Sequence, residues 1–179
     1  WKPPANADQG FGYETLLGHV TDAKPTTLFV AYGRETAYYK SPEEFEAFKR
    51  GYITLLDDLV KVSTTLILVS PPLLEDAGRP LPDPGESNKR LQRTSAFIKD
   101  VAKKGGHRLI NLTDHLIPAG AKKNLTLNGQ QFTQYGHEQL AQVMLEQMGL
   151  AAKGGYKAEF TADGTVRASE NAKVDKLVK

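Results

Sequence analysis

Three short apolar runs, separated by stretches of helical period, confine this chain to a small set of folds. The runs are Thr27-Leu-Phe-Val-Ala-Tyr32, Thr64-Thr-Leu-Ile-Leu-Val-Ser70 and Arg108-Leu-Ile-Asn-Leu112. The first two are nearly unbroken in apolar and β-branched residues, as strands are when both faces of a parallel sheet are covered. Between the first and second, Ser41-Pro-Glu-Glu44 reads as an N-cap, a proline at the first helical position and a capping glutamate. Phe45, Phe48, Tyr52, Leu55 and Leu59 then recur at three- and four-residue spacing, which predicts one apolar stripe on a helix. Between the second and third, a helix over residues 87–104 turns Leu91, Thr94, Ile98 and Val101 inward and stops at Gly105-Gly106.

Strand, helix, strand, helix, strand is the signature of an α/β domain, here a three-layer sandwich with flavodoxin-like layering and a parallel sheet in which the three runs are neighbours in chain order. A short helix over residues 13–23 precedes the first run, and another over residues 133–148 is closed by Gly149. Residues 1–150 therefore form the α/β domain. Residues 151–179 form a tail in which Asp163-Gly164, between strand-like flanks, predicts a hairpin.

Composition excludes several classes of function. There is no cysteine, so disulfides and thiolate metal sites are absent. A net charge of +2, with basic and acidic residues interleaved, describes a solvated surface and not a nucleic-acid footprint. No apolar run reaches the roughly 18 residues that span a bilayer. His19, His107, His115 and His137 lack metal-ligand spacing, and the paired glycines lack a phosphate-loop context, so neither metal nor cofactor is expected. Ser70, at a strand end before two prolines, lacks the turn that would expose a nucleophile.

Ligands of parallel sheets bind at the carboxyl ends of the strands. That places the candidate site on residues 33–37, 71–76 and 113–131. Gly33-Arg34-Glu35 follows the first strand directly. Arg34 in that position either holds an anion or pairs with Glu35 or another neighbour. Glu35 facing Glu75 or Asp76 would make a carboxylate pair of the glycosidase kind.

The segment Leu125-Thr-Leu-Asn-Gly-Gln-Gln-Phe-Thr-Gln-Tyr-Gly-His137 carries the sharpest signal. It resembles the loop that ends the core of the SGNH (GDSL-type) hydrolases, where Asp-Gly-x-His precedes a helix start of the form Thr-x-x-Gly. Gly129, Thr133 and Gly136 keep that frame, while Asn128 stands at the acid position and Gln131 at the base position. Lys24-Pro25 before the first strand, the Tyr32-Gly33 pair, Leu68-Val-Ser-Pro-Pro72, Pro80-Leu-Pro-Asp-Pro84 with Asn88 and Leu91, and Gly106-His-Arg-Leu-Ile-Asn-Leu112 resemble one bacterial branch of the family in the same order. The likeness covers about residues 10–150.

The resemblance implies an ester hydrolase whose serine lies on an earlier strand, with an orienting Asp, a general-base His and an Asn that donates to the oxyanion. None of these is in place here. Glu35 falls where the Asn would be, and a carboxylate there repels a developing oxyanion. A primary amide at Gln131 cannot accept and return a proton near neutral pH as an imidazole does. Loss of nucleophile or base costs up to about 10⁶ in turnover. The expectation is a catalytically degenerate domain, a pseudoenzyme, that keeps Gly33, Arg34, Glu35, Asn128 and Gln131 as a binding or structural site for a carbohydrate or acyl-ester ligand. Two alternatives stay open. Gln131 is a chance replacement in a loop that was never catalytic, or a parent acetylesterase-like enzyme uses a nucleophile upstream of Trp1.

The resemblance also implies a secreted or periplasmic setting and a sheet with further strands before Thr27. On that reading the domain is incomplete at its N-terminal side. An upstream segment, another polypeptide or the hairpin at residues 160–166 then pairs along Thr27 to Tyr32, because a long apolar strand is rarely left with an open edge.

Overall fold

The computed structural model describes residues 11–63, 65–116, 124–150, 159–160 and 166–167. Its centre is a parallel sheet of β1 (Thr27–Val30), β2 (Thr65–Val69) and β3 (Arg108–Ile110), in that spatial order. Thr27 lies beside Thr65 and Ile67 beside Arg108 in the register. The order and direction match the expectation drawn from the three apolar runs.

Alternation along β2 builds two cores. Leu66 and Leu68 point into one cluster with Val30, Tyr52, Leu55, Leu59 and Ile98. Ile67 and Val69 point into the other with Ile110, Leu112, Leu116 and Leu125. Successive strand residues face opposite sides, so the sheet is the middle of three layers. Helices α1 (Phe11–Ala23), α2 (Pro42–Leu59) and α3 (Gly85–Gly105) supply the first cluster. The short α4 (Leu112–His115) and α5 (Gln134–Met148) supply the second. Leu68 and Ile98 are fully buried, and each such side chain contributes on the order of 1.5–3 kcal/mol.

Local chemistry sets the ends of the elements. The Ser41 hydroxyl accepts from the Glu44 N–H, and the Glu44 carboxylate accepts from the Ser41 N–H, so the predicted capping box is present. α3 ends at Gly106, whose φ of 66° is the left-handed conformation that closes helices. Thr133 caps α5 by accepting from the Gly136 N–H.

Two expectations need correction. The third strand stops at Ile110, not Leu112, because the Asn111 side chain accepts from the Asp114 N–H and starts α4. The first strand ends at Val30 and is not covered on both faces: Phe29 is 44% exposed and Tyr32 47%. β1 pairs with β2 alone, so its other edge has no strand partner among the described residues. In the tail, β4 (Glu159–Phe160) and β5 (Val166–Arg167) pair antiparallel as a separate two-stranded sheet. That sheet does not include β1. The Asp163-Gly164 turn lies outside the described residues.

Candidate functional site

Three loops meet at the carboxyl ends of the strands. The first leaves β1 through Gly33, whose φ is 113° and at which a Cβ would sit 2.8 Å from Thr94 Cγ2. It continues as a 3₁₀ helix over Arg34–Tyr38. The buried Thr36 hydroxyl donates to the Gly33 carbonyl at 2.7 Å and lies 2.7 Å from the Thr94 hydroxyl, while Arg90 Nη1 donates to the Ala37 carbonyl at 3.1 Å. These contacts fasten the 3₁₀ helix to α3.

The second loop follows β2. Ser70 is buried, within 3.0 Å of the Thr113 hydroxyl and 3.2 Å of Asn111 Oδ1, which knits the end of the strand to α4. Further on, Leu74 and Asn88 exchange two bonds: the Leu74 N–H donates to Asn88 Oδ1 at 2.8 Å, and Asn88 Nδ2 donates to the Leu74 carbonyl at 2.9 Å. The Glu75 N–H reaches the Gly129 carbonyl at 3.1 Å.

The third loop is the amide-bearing segment. Thr126 and Phe132 form an isolated antiparallel bridge, and the Leu127 N–H donates to the Gln131 carbonyl at 2.8 Å. Within this turn, Asn128 Oδ1 accepts from the N–H groups of Gln130 at 3.2 Å and Gln131 at 2.9 Å. Gly129, at a φ of 82°, passes so close to Glu75 that a Cβ would lie 2.7 Å from the Glu75 carbonyl oxygen.

The five sequence-predicted residues are distributed around this junction. Arg34 is joined to the turn by a 2.5 Å bond from Nη2 to the Gln130 carbonyl, so its partner is a neutral carbonyl and not Glu35. Glu35 instead accepts from the Gly33 N–H at 3.2 Å, which occupies the amide donor at the strand end. Asn128 faces a groove of ≈ 290 Å³, together with Tyr38, Leu74, Leu81, Ser87 and Gly129. Gln131 is exposed and does not line that groove. Glu35 lines a different cavity of ≈ 190 Å³ with Tyr32, Phe48 and Tyr52.

Glu75 is the residue whose role sequence reasoning missed. Its carboxylate accepts from the Leu125 N–H at 3.0 Å, the Thr126 N–H at 2.7 Å and the Thr126 hydroxyl at 2.5 Å. It anchors one loop to another and is not half of a catalytic carboxylate pair. Asp76 also serves a turn, accepting from the Gly78 N–H. No local pattern announces a contact spanning 50 residues, and only its proximity to the third loop in the fold reveals it.

The groove offers hydroxyls from Tyr38 and Ser87, an amide from Asn128 and apolar walls from Leu74, Leu81 and Pro82. Among the described residues its lining includes no imidazole. His137 packs edge-on against Phe132, with ring centroids 5.5 Å apart. Tyr39, just beyond the 3₁₀ helix, has its pKa raised by burial and then by the charges of Glu35 and Glu44. Such a phenol stays protonated and can donate. Among the described residues no cluster of three metal-ligating side chains is present, and no helix is long and apolar enough to cross a membrane.

No family model matches the sequence, and no curated protein matches it either. Solved structures match by fold. A catalytic mutant of Axe2, an acetylxylan esterase from Geobacillus stearothermophilus, superposes with a TM-score of 0.62 at 13% identity, over 76% of this chain and 65% of that one. LAE5, an alpha/beta hydrolase enzyme from the metagenome of Lake Arreo, gives 0.58 at 15% identity, over 76% and 66%. A gut microbial diltiazem-metabolizing enzyme gives 0.55 at 15%, over 72% of this chain and 34% of that one. The chain thus spans about 65% of the length of the acetylxylan esterase. The chain shares with these structures an α/β fold with a parallel sheet, the fold that the SGNH-type resemblance implies. The motifs at residues 24–33, 68–72, 80–91, 106–112 and 125–137 had pointed to that fold.

Proposed function

We propose that this chain is an SGNH/GDSL-like domain that has lost ester hydrolysis and acts as a binding or structural module. The observation that carries the reading is the state of the site. The turn that would carry a base presents the amide of Gln131, and the Gly33 N–H at the strand end is already taken by the Glu35 carboxylate. An acyl-transfer site needs a base within reach of a nucleophile and free donors aimed at the oxyanion. A groove with apolar walls, hydroxyls and the Asn128 amide suits instead the binding of a carbohydrate or acyl group. Retention of the turn, fastened by Arg34, Asn128 and Glu75, supports a role for its shape without its chemistry.

The esterase neighbours favour a second reading, in which a longer parent is a carboxylic-ester hydrolase with its serine on an upstream strand. The two readings separate on hydrolysis of a chromogenic acetate by the longest polypeptide that carries this chain. The first expects no turnover. Turnover that survives Gln131→Ala and vanishes on substitution of an upstream serine would establish the second.

The free edge of β1 belongs to the same proposal. Phe29 and Tyr32 are half exposed there, and the buried hydroxyl of Tyr52 has no hydrogen-bond partner among the described residues. An extended segment from upstream or from another polypeptide, paired along residues 27–32, would cover both aromatics and satisfy the edge.

A further inference from the structure

A third cavity, of ≈ 190 Å³, is lined by Thr36 of the Arg34–Tyr38 3₁₀ helix and by Tyr39 just after it, and its charged lining residues are all cations. Arg90 and Arg93, three residues apart on α3, supply two guanidinium groups, and Lys40 supplies an ammonium from the loop before α2. Residues at this spacing share one helix face.

The guanidinium groups are held in place and form no salt bridge among the described residues, although Arg90 lies near enough to Glu86 to lower the pKa of that carboxyl. Arg90 spends one N–H on the Ala37 carbonyl at 3.1 Å. Arg93 lies over the Phe45 ring with its guanidinium carbon 4.2 Å from the centroid, a stacking that fixes the plane of the fork and leaves its edge free to donate. The nearby acids are engaged, Glu35 with the Gly33 N–H and Glu44 at the rim of the cavity itself. Glu44 caps the Lys40 and Ser41 N–H groups, Glu86 pairs with Lys89 at 2.7 Å, and Glu46 pairs with Lys49 at 2.7 Å. Among the described residues no salt bridge engages Lys40, Arg90 or Arg93. Setting Glu44 against Lys40 still leaves two guanidinium charges facing one concavity. Tyr39 and Ser41 add hydroxyls to the lining.

The geometry points to this cavity as an oxyanion-binding pocket, one that takes the carboxylate of an acidic sugar or the phosphate of a small phosphate ester through Arg90 and Arg93. Two forks on adjacent helix turns match the paired oxygens of either group, which a lone ammonium does not. The cavity volume admits the charged group and part of the ring or chain that bears it. Phe45 provides the apolar floor, and Tyr39, kept protonated, provides a neutral donor. The pocket stands independently of whether the groove binds a saccharide, because none of its cations lines the groove.

Calorimetric titration of the 179-residue chain with glucuronate, inorganic phosphate and glucose at low salt tests the assignment. The expected result is saturable binding of at least one of the two anions, none of glucose, and a loss of about tenfold or more in affinity with Arg93→Gln. Which anion saturates identifies the source of the oxyanion. Arg90→Gln should weaken binding similarly, with circular dichroism checking that losing the Ala37 contact leaves the fold intact. Arg93 makes no hydrogen bond among the described residues, so Arg93→Gln decides the matter if Arg90→Gln unfolds. Absence of saturation by both anions, or anion binding unchanged in Arg93→Gln, would overturn the assignment.

Discussion

The Glu75 carboxylate accepts both the backbone N–H and the hydroxyl of Thr126, 51 positions away, and so ties the loop after β2 to the turn before α5. Hydrogen bonds to a charged acceptor contribute more than neutral ones, and removing the acceptor strands its donors. Glu75→Ala should therefore destabilise the domain by about 2–3 kcal/mol. Glu75→Gln, which keeps one acceptor oxygen, should cost about half as much. Urea unfolding midpoints measure both, and a Glu75→Ala midpoint equal to that of the unmodified chain would show that the clamp carries no stability.

The same junction is packed too closely for side chains at two glycines. A Cβ at Gly136 would collide with the Leu125 carbonyl, and one at Gly129 would meet the Glu75 carbonyl at a φ that L-residues avoid. Gly136→Ala should cost roughly 3 kcal/mol or more, because both groups in the collision belong to rigid backbone. Gly129→Ala should cost about 1–3 kcal/mol. Gly12→Ala is the control, since nothing lies within 4 Å of its Cβ position. Thermal melts of the three variants should rank in that order, and a Gly136→Ala chain as stable as Gly12→Ala would contradict the packing.

Alkaline stability follows from Tyr13 on α1. Burial, and then its hydrogen bond to the Asp58 carboxylate, push its pKa from 10.0 up to about 12. Between those values the unfolded chain releases the phenolic proton while the folded chain keeps it, so stability falls as pH rises across that window. Tyr13→Phe should flatten the decline between about pH 10 and about pH 12, seen as urea midpoints that change less with pH. An unchanged slope in Tyr13→Phe would assign the decline to other groups.

How far the sequence could be read divides along contact range. The Ser41–Glu44 capping box, the glycine stops at Gly106 and Gly149 and the strand order rest on local pattern, and all were legible. The 3₁₀ helix at Arg34–Tyr38 was not, because it is held by Thr36 meeting Thr94, 58 positions away. Leu112 read as strand because its apolar character says nothing of the Asn111 cap that redirects the backbone. At the site, the proposal that an acid and a base have been lost rests on the identities of Asn128 and Gln131, which the sequence alone supplies. That Arg34 reaches the Gln130 carbonyl, and that Glu35 turns back to Gly33, emerges only in three dimensions.

The edge of β1 that has no strand partner among the described residues makes a prediction about association. The isolated 179-residue chain should self-associate through residues 27–32, and Phe29→Lys should reduce this by placing a charge beside the open strand. Because Phe29 is 44% exposed, the substitution should change stability by less than about 1 kcal/mol. Sedimentation velocity at several concentrations reads the effect. Identical association in the two chains would place the interface elsewhere.

The central claim, that the turn at residues 128–131 keeps the shape of a catalytic loop without its chemistry, is tested most directly by restoring the missing side chains. Asn128→Asp with Gln131→His returns an orienting acid and a base but supplies no nucleophile. Intact-mass spectrometry after incubation with an organophosphonate probe, alongside hydrolysis of a chromogenic acetate, reads both the nucleophile and the turnover. The account predicts no adduct and no hydrolysis above the buffer rate for the unmodified chain and for the double variant alike. A stoichiometric adduct on the unmodified chain, or hydrolysis appearing in the double variant, would contradict it.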